Sequence, residues 1–231
     1  MRPYAKEELL ACVIARLLGG ARHAAIGASS PIPATAAFLH GQKDAAFRVS
    51  LQQRREANPL TEGSRELFDL AGQGRIDVFF LGGAQIDGKA NINLVEADGK
   101  RFPGSFGSAY LYPVVPRVIL FREEHSRRVL VEKVDFVSAS GNPAALLTGM
   151  ALFSWQREKR RFRLESVHPG HSPEEVRENT GFDYEAGAPV ETAAPSAQEL
   201  RLLRTQVKEK IAADYPEFAA RVWGMGPGNG S

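Results

Sequence analysis

Residues 76–93 read IDVFFLGGAQIDGKANIN. From Ile76 to Leu81 the run is branched or aromatic except at Asp77, which marks a strand buried on both faces, not an alternating half-exposed one. Gly82-Gly83 stop that strand, and Asp87-Gly88 signals a tight hairpin just beyond it. A buried strand that ends in glycines lets backbone come close to another group with no Cβ in the way. In open α/β sheets, ligands dock at the carboxyl ends of the strands.

On the N-terminal side, Leu9, Leu10, Val13, Ile14, Leu17 and Leu18 recur at helical spacing over Glu7–Leu18, and Gly19-Gly20 closes the helix. A short strand His23–Ile26 follows. A small-residue turn and a helix opening near Pro33 come next, then a second strand over residues 45–51, AAFRVSL. The stretch after it is polar and reads as loop until Ser64 caps a short helix through Leu70. On the C-terminal side, strands are expected at Arg117–Phe121, Val134–Val137, Leu146–Ser154 and Arg161–Val167. Ser172-Pro173-Glu174-Glu175 has the form of a capping box, with a helix running to Gly181, and Ser196 and Glu199 repeat it. Strands interleaved with helices give an α/β fold, an open and mostly parallel sheet with helices on both faces. A single domain is expected over residues 1–223. Residues 224–231, GMGPGNGS, offer nothing to bury and are expected to be a disordered tail.

Composition excludes several classes. The 231 residues hold 43% apolar and 24% charged residues, and 29 basic against 27 acidic side chains leave a net charge of +2. That balance gives no electrostatic footprint for nucleic acid. The basic run Arg157–Arg163 reads as a solvated turn between two strands. No apolar run reaches the ~18 residues a membrane span needs. The N-terminus MRPYAKEELL has acids where a signal sequence has its apolar stretch. A single cysteine, Cys12, sits in the apolar helical stripe as core packing, and with no intrachain disulfide the expected compartment is the cytoplasm.

Familiar chemical motifs are missing. There is no phosphate-binding lysine loop, no dinucleotide glycine fingerprint, no paired-histidine metalloprotease motif and no serine elbow in the sequence. His168 and His171 flank Pro169-Gly170 and so do not share a helix face. No cysteine or close acid completes a metal set around them, and none is expected.

Three segments in order resemble the β subunit of the glutaconate-type, family I CoA-transferases. They are FLGGAQIDGKANIN at residues 80–93, RFPGSFGSAY at residues 101–110, and VHPGHSPEEVRENTGFD at residues 167–183. The resemblance extends from about Glu7 to about Arg204. It implies a fold of the ribose-phosphate isomerase/CoA-transferase superfamily and a CoA thioester as substrate, with no permanently bound cofactor. It also implies an α partner of similar fold in a heterodimer or heterotetramer. Candidate substrate- and CoA-binding residues are Gly82, Gly83, Gln85, Asn91, Gly104, Ser105, Phe106 and Gly107. Each glycine is equally open to a turn-forming role, and His168-Pro169-Gly170 is expected to position the last strand and helix.

Two positions depart from the family pattern. The resemblance places a nucleophilic glutamate on the strand after the second helix, where this chain has Ser50 in FRVSL. Serine is a poor replacement, because a serine ester lies well below a thioester in energy and CoA is not readily recovered from it. No histidine in that segment is expected to activate it. Glu56, six residues on, is the alternative carboxylate. Phe106 stands where the family turn has glycine, and its ring narrows or reshapes a pocket there. Three readings follow: a CoA-transferase using Glu56 or a partner glutamate, a hydrolase of a cyclic or other acyl-CoA using an α-subunit carboxylate, or a non-catalytic CoA-ligand-binding subunit. The steroid-ring-opening CoA-thioester hydrolases, whose β subunits the chain also resembles, are the model for the second.

Overall fold

The computed structural model describes residues 3–54, 60–97 and 99–224. In chain order the elements are α1 (Lys6–Leu17), β1 (His23–Ile26), α2 (Pro31–Gly41), β2 (Arg48–Leu51), α3 (Ser64–Gly72), β3 (Val78–Leu81), β4 (Gln85–Asp87) and β5 (Ile92–Asn93). Then come β6 (Glu96–Ala97), β7 (Lys100–Arg101), α4 (Ser108–Val114), β8 (Arg117–Arg122), β9 (Leu130–Val131), β10 (Ala145–Thr148), β11 (Ala151–Gln156) and β12 (Arg161–Val167). The chain ends with α5 (Pro173–Asn179), β13 (Val190–Glu191), α6 (Ala197–Leu202), a π-helical turn Leu203–Val207, α7 (Lys208–Asp214) and α8 (Pro216–Trp223). Two compact units emerge, residues 1–67 with 194–231, and residues 68–193.

In the first unit β1 and β2 pair in parallel, with Ala25 opposite Ser50 and Ile26 opposite Leu51. The apolar stripe of α1 is fully inside: Leu10, Ala11, Cys12 and Ile14 expose nothing. Burial pushes the Cys12 thiol up to about 12. Two buried glutamates tie the C-terminal helices to this helix. Glu8 takes a bidentate fork from Arg204, Nε to Oε1 and Nη2 to Oε2, both 2.8 Å, along with the Ala5 N–H and the Trp223 indole. Glu199 takes Arg16 Nη2 at 2.9 Å and Lys43 Nζ at 3.1 Å. Ser196 and Glu199 form the expected reciprocal cap on α6. Burial alone would raise the Glu199 carboxyl. The bonds from Arg16, the Ser196 N–H and Lys43 outweigh it and hold the group at about 2.

The second unit is built on strands in the order β13-β12-β11-β10-β8-β3. The β3/β8, β8/β10 and β12/β13 pairings are parallel, and β11 is antiparallel to both of its neighbours. Among the described residues of the two units parallel pairings outnumber antiparallel ones, so the fold is the α/β class expected from sequence. Three elements depart from expectation. The single strand expected over Leu146–Ser154 is two, β10 and β11, reversed at Gly149-Met150, because Thr148 Oγ1 accepts the Met150 and Ala151 N–H groups and closes the turn. Val134–Val137 is not a strand; Phe136 and Val137 are each 50% exposed there. RFPGSFGSAY leads into a helix, α4, that the sequence reading missed. Cap chemistry also differs at α5. Ser172 Oγ accepts the Glu175 N–H, but the Glu175 carboxylate turns to His171 Nδ1 at 3.0 Å instead of closing the box.

Candidate functional site

Each predicted pocket residue is best judged by what already occupies its polar groups. In the second unit β3 delivers the chain to Gly82-Gly83. A Cβ on Gly82 would lie 2.9 Å from the Phe121 carbonyl, and one on Gly83 would lie 2.6 Å from the Gln85 carbonyl. Both glycines are therefore demanded by the protein's own backbone. Gln85 is 4% exposed and spent internally. Its Oε1 accepts Asn93 Nδ2 and the Asp135 N–H, and its Nε2 donates to Asp135 Oδ2. Asn91 is held by Asp87, whose Oδ1 takes the Asn91 N–H at 3.0 Å and whose Oδ2 takes Asn91 Nδ2 at 2.9 Å. The hairpin is looser than a two-residue Asp-Gly turn. Residues 88–90 form the loop, and Ala90 takes the left-handed conformation, φ 62°.

The 104–107 turn is different. Gly104 has φ 111° and Phe106 φ 48°. A bulky residue in that region is rare and strained, which explains why the resemblance has glycine at this point. The Phe106 ring rests 5.5 Å from Phe68 and is 65% exposed. Phe102 and Tyr110, 39% and 44% exposed, share its segment. Gly107 leaves room for the Phe68 ring, and the Ser105 carbonyl accepts the Ser108 N–H and hydroxyl at the start of α4. Of the second unit's candidates, Gly104, Ser105 and Phe106 face outward, and Gly82, Gly83, Gln85 and Asn91 are knitted inward.

Two buried histidines lock the strand ends of this unit. His168 Nε2 donates to the Thr148 carbonyl, and its Nδ1 meets Thr192 Oγ1 at 2.8 Å, which ties the end of β12 to β10 and to the residue after β13. His125 lies between Thr148 Oγ1 at 2.7 Å and Thr180 Oγ1 at 3.0 Å. Both hydroxyls also reach carbonyls, Thr148 that of Ala151 and Thr180 that of Val176, so the His125 imidazole is clamped between two anchored threonines. Burial holds its ring neutral, down to about 4. A surface cavity of ~500 Å³ bordered by Pro173, Arg177, Tyr184 and Pro189 contains none of the predicted residues.

In the first unit Ser50 sits on β2, 2% exposed. Its Oγ lies 2.8 Å from His23 Nε2 on β1. No histidine of the Ser50 segment is involved, but one from another strand is. The imidazole comes from the adjacent parallel strand, 27 residues earlier, which a segment-by-segment reading does not connect. The available signal was the strand His23–Ile26 itself, which carries one polar side chain among apolar ones. Glu56 lies outside the described residues.

The family model for coenzyme A transferase matches residues 37–179. The chain belongs to that family. It is 28% identical over 152 residues to the β subunit of glutaconate CoA-transferase from Acidaminococcus fermentans, covering 56% of each chain. It is 29% identical over 176 residues to the cholesterol ring-cleaving hydrolase IpdB subunit of Rhodococcus jostii, covering 65% of this chain and 66% of the relative. The match thus spans little over half the length of the first and about two thirds of the second. Among solved structures, a cysteine-to-serine variant of the decarboxylase AibA/AibB is similar, with TM-score 0.75 and 25% identity, over 87% of this chain and 94% of that one.

Proposed function

We propose that the chain is the β half of a CoA-transferase-like heteromer, paired with an α subunit of the same family in a heterodimer or heterotetramer in the cytoplasm. It acts on an acyl-CoA thioester by a route that needs no carboxylate acceptor. The observation that carries this is Ser50, whose hydroxyl is hydrogen-bonded to His23. The resemblance puts the nucleophilic carboxylate of a transferase at that position. A carboxylate permits exchange, because anhydride and thioester are close in energy; a serine hydroxyl permits none. The chain's relatives support departure from transfer, since one is named a ring-cleaving hydrolase and a structural neighbour a decarboxylase.

The test uses the heteromer isolated through a tag on this chain. It is incubated with a panel of acyl-CoA thioesters, with and without carboxylic acid acceptors, while free CoA thiol and transferred CoA are both followed. We expect thiol release or a cleaved acyl chain without acceptor. Turnover that strictly requires an acceptor acid overturns the reading.

A further inference from the structure

We infer that Ser50 and His23 form a nucleophile–base pair that carries the acyl group covalently while the thioester is hydrolysed. The inference rests on the acceptor-independent reaction proposed above and adds the residues that perform it. The geometry comes from the strand pair. Ala25 is opposite Ser50 and His23 is opposite Arg48, so His23 lies two residues back along the same face of the sheet. The imidazole bridges that offset to meet the hydroxyl at 2.8 Å, within the range a base needs to take a nucleophile's proton. Both side chains stand on parallel strands and not on a loop, so their separation is fixed by the backbone hydrogen bonds between β1 and β2. Ser50 is 2% exposed and His23 half-buried, so the hydroxyl meets the imidazole at the rim of the core.

The chemistry balances without any further reagent. Oγ bonds to the thioester carbonyl carbon as Nε2 takes the hydroxyl proton. The C–S bond then breaks, and sulfur leaves with that proton as CoA thiol. Water adds to the resulting serine ester, Nε2 takes a proton from it, the C–Oγ bond breaks, and the proton returns to Oγ. The sum is thioester plus water giving carboxylic acid plus thiol. The drop in energy from thioester to serine ester makes the first half effectively one-way, which is the property a transferase cannot tolerate and a hydrolase uses.

The heteromer is mixed with acyl-CoA, quenched in acid within a turnover, digested and weighed. We expect the acyl mass on the peptide containing Ser50, formed only when acyl-CoA is present. Ser50→Ala abolishes the adduct and lowers kcat by on the order of 10²–10⁴-fold with KM little changed, and His23→Gln lowers kcat similarly and flattens the acid limb of its pH profile. Ser50→Cys keeps a nucleophile, so it retains an adduct, now labile to neutral hydroxylamine. Circular dichroism confirms that each variant is folded, and the buried Cys12 thiol reports the same for Ser50→Ala and His23→Gln. If Ser50→Ala folds and keeps more than about a tenth of wild-type kcat, the pair is structural and the inference falls, while acceptor-independent turnover stands. Strict acceptor dependence in the wild type overturns both.

Discussion

Glu199→Gln isolates one charge at the point where α6 meets α1. The carboxylate is 5% exposed and accepts from Arg16, Lys43 and the Ser196 N–H. Its value of about 2, against an ordinary 4.5, corresponds to about 3 kcal/mol at ~1.4 kcal/mol per factor of ten. Arg16 and Lys43 are 35% and 41% exposed, so water screens part of this and ~2 kcal/mol is the expected loss at pH 7. The amide keeps the shape and loses the charge. Cys12 supplies a local assay, because its thiol is inside α1 and reacts with a disulfide reagent only when this unit opens. A loss of ~2 kcal/mol makes labelling about 30-fold faster. The pH dependence has a definite sign. The group's folded value is depressed, so its contribution is complete above about 4.5 and is lost as pH falls toward about 2. Urea midpoints of wild type and variant should therefore converge over that window. Labelling accelerated by less than about fivefold at pH 7, or a gap that stays constant down to pH 2, would refute the reasoning.

Gly83→Ala drives a methyl toward the Gln85 carbonyl at 2.6 Å and the Asn93 carbonyl at 3.1 Å. Thermal unfolding should show a loss of about 1–3 kcal/mol, and an unchanged midpoint would mean the turn gives way freely. His125 is neutral in the fold and protonates near 6.5 when unfolded, so its contribution falls as pH drops from 6.5 toward about 4. Between pH 7 and 4.5 the wild type should lose ~2 kcal/mol more than His125→Gln in urea titrations, and equal slopes would contradict the neutral assignment.

How far the sequence could be read depended on the range of the interactions. Ile76–Leu81, the α1 stripe and the Ser196–Glu199 cap are local patterns, and each appears where expected. The β10/β11 reversal was missed because Gly149 stands alone in a mostly apolar run, and the turn is closed by the Thr148 side chain and not by a paired turn signal such as Asn-Gly. α4 was missed because RFPGSFGS hides the helix start behind turn residues. The candidate site divided for the same reason. Glycines flag close backbone approach but do not say to what, and at Gly82 and Gly83 the close neighbour is the chain's own carbonyls. Gln85 and Asn91 are polar residues near a strand end, but their partners Asp135 and Asp87 consume them. His23 and Ser50 are far apart in sequence and meet only because β1 and β2 pair.

The π-helical turn Leu203–Val207 lies between α6 and α7, and such a turn is an α-helix with one residue too many. Removing one residue from it would restore a regular helix and rotate everything beyond by about 100° with a shift of ~1.5 Å. Asp214 would lose the guanidinium of Arg54, Tyr215 the carbonyl of Ala28, and Trp223 the carboxylate of Glu8. The extra residue therefore sets the phase of the last two helices like an offset tooth on a gear. A single-residue deletion there should be far more damaging than a substitution at any of the five positions.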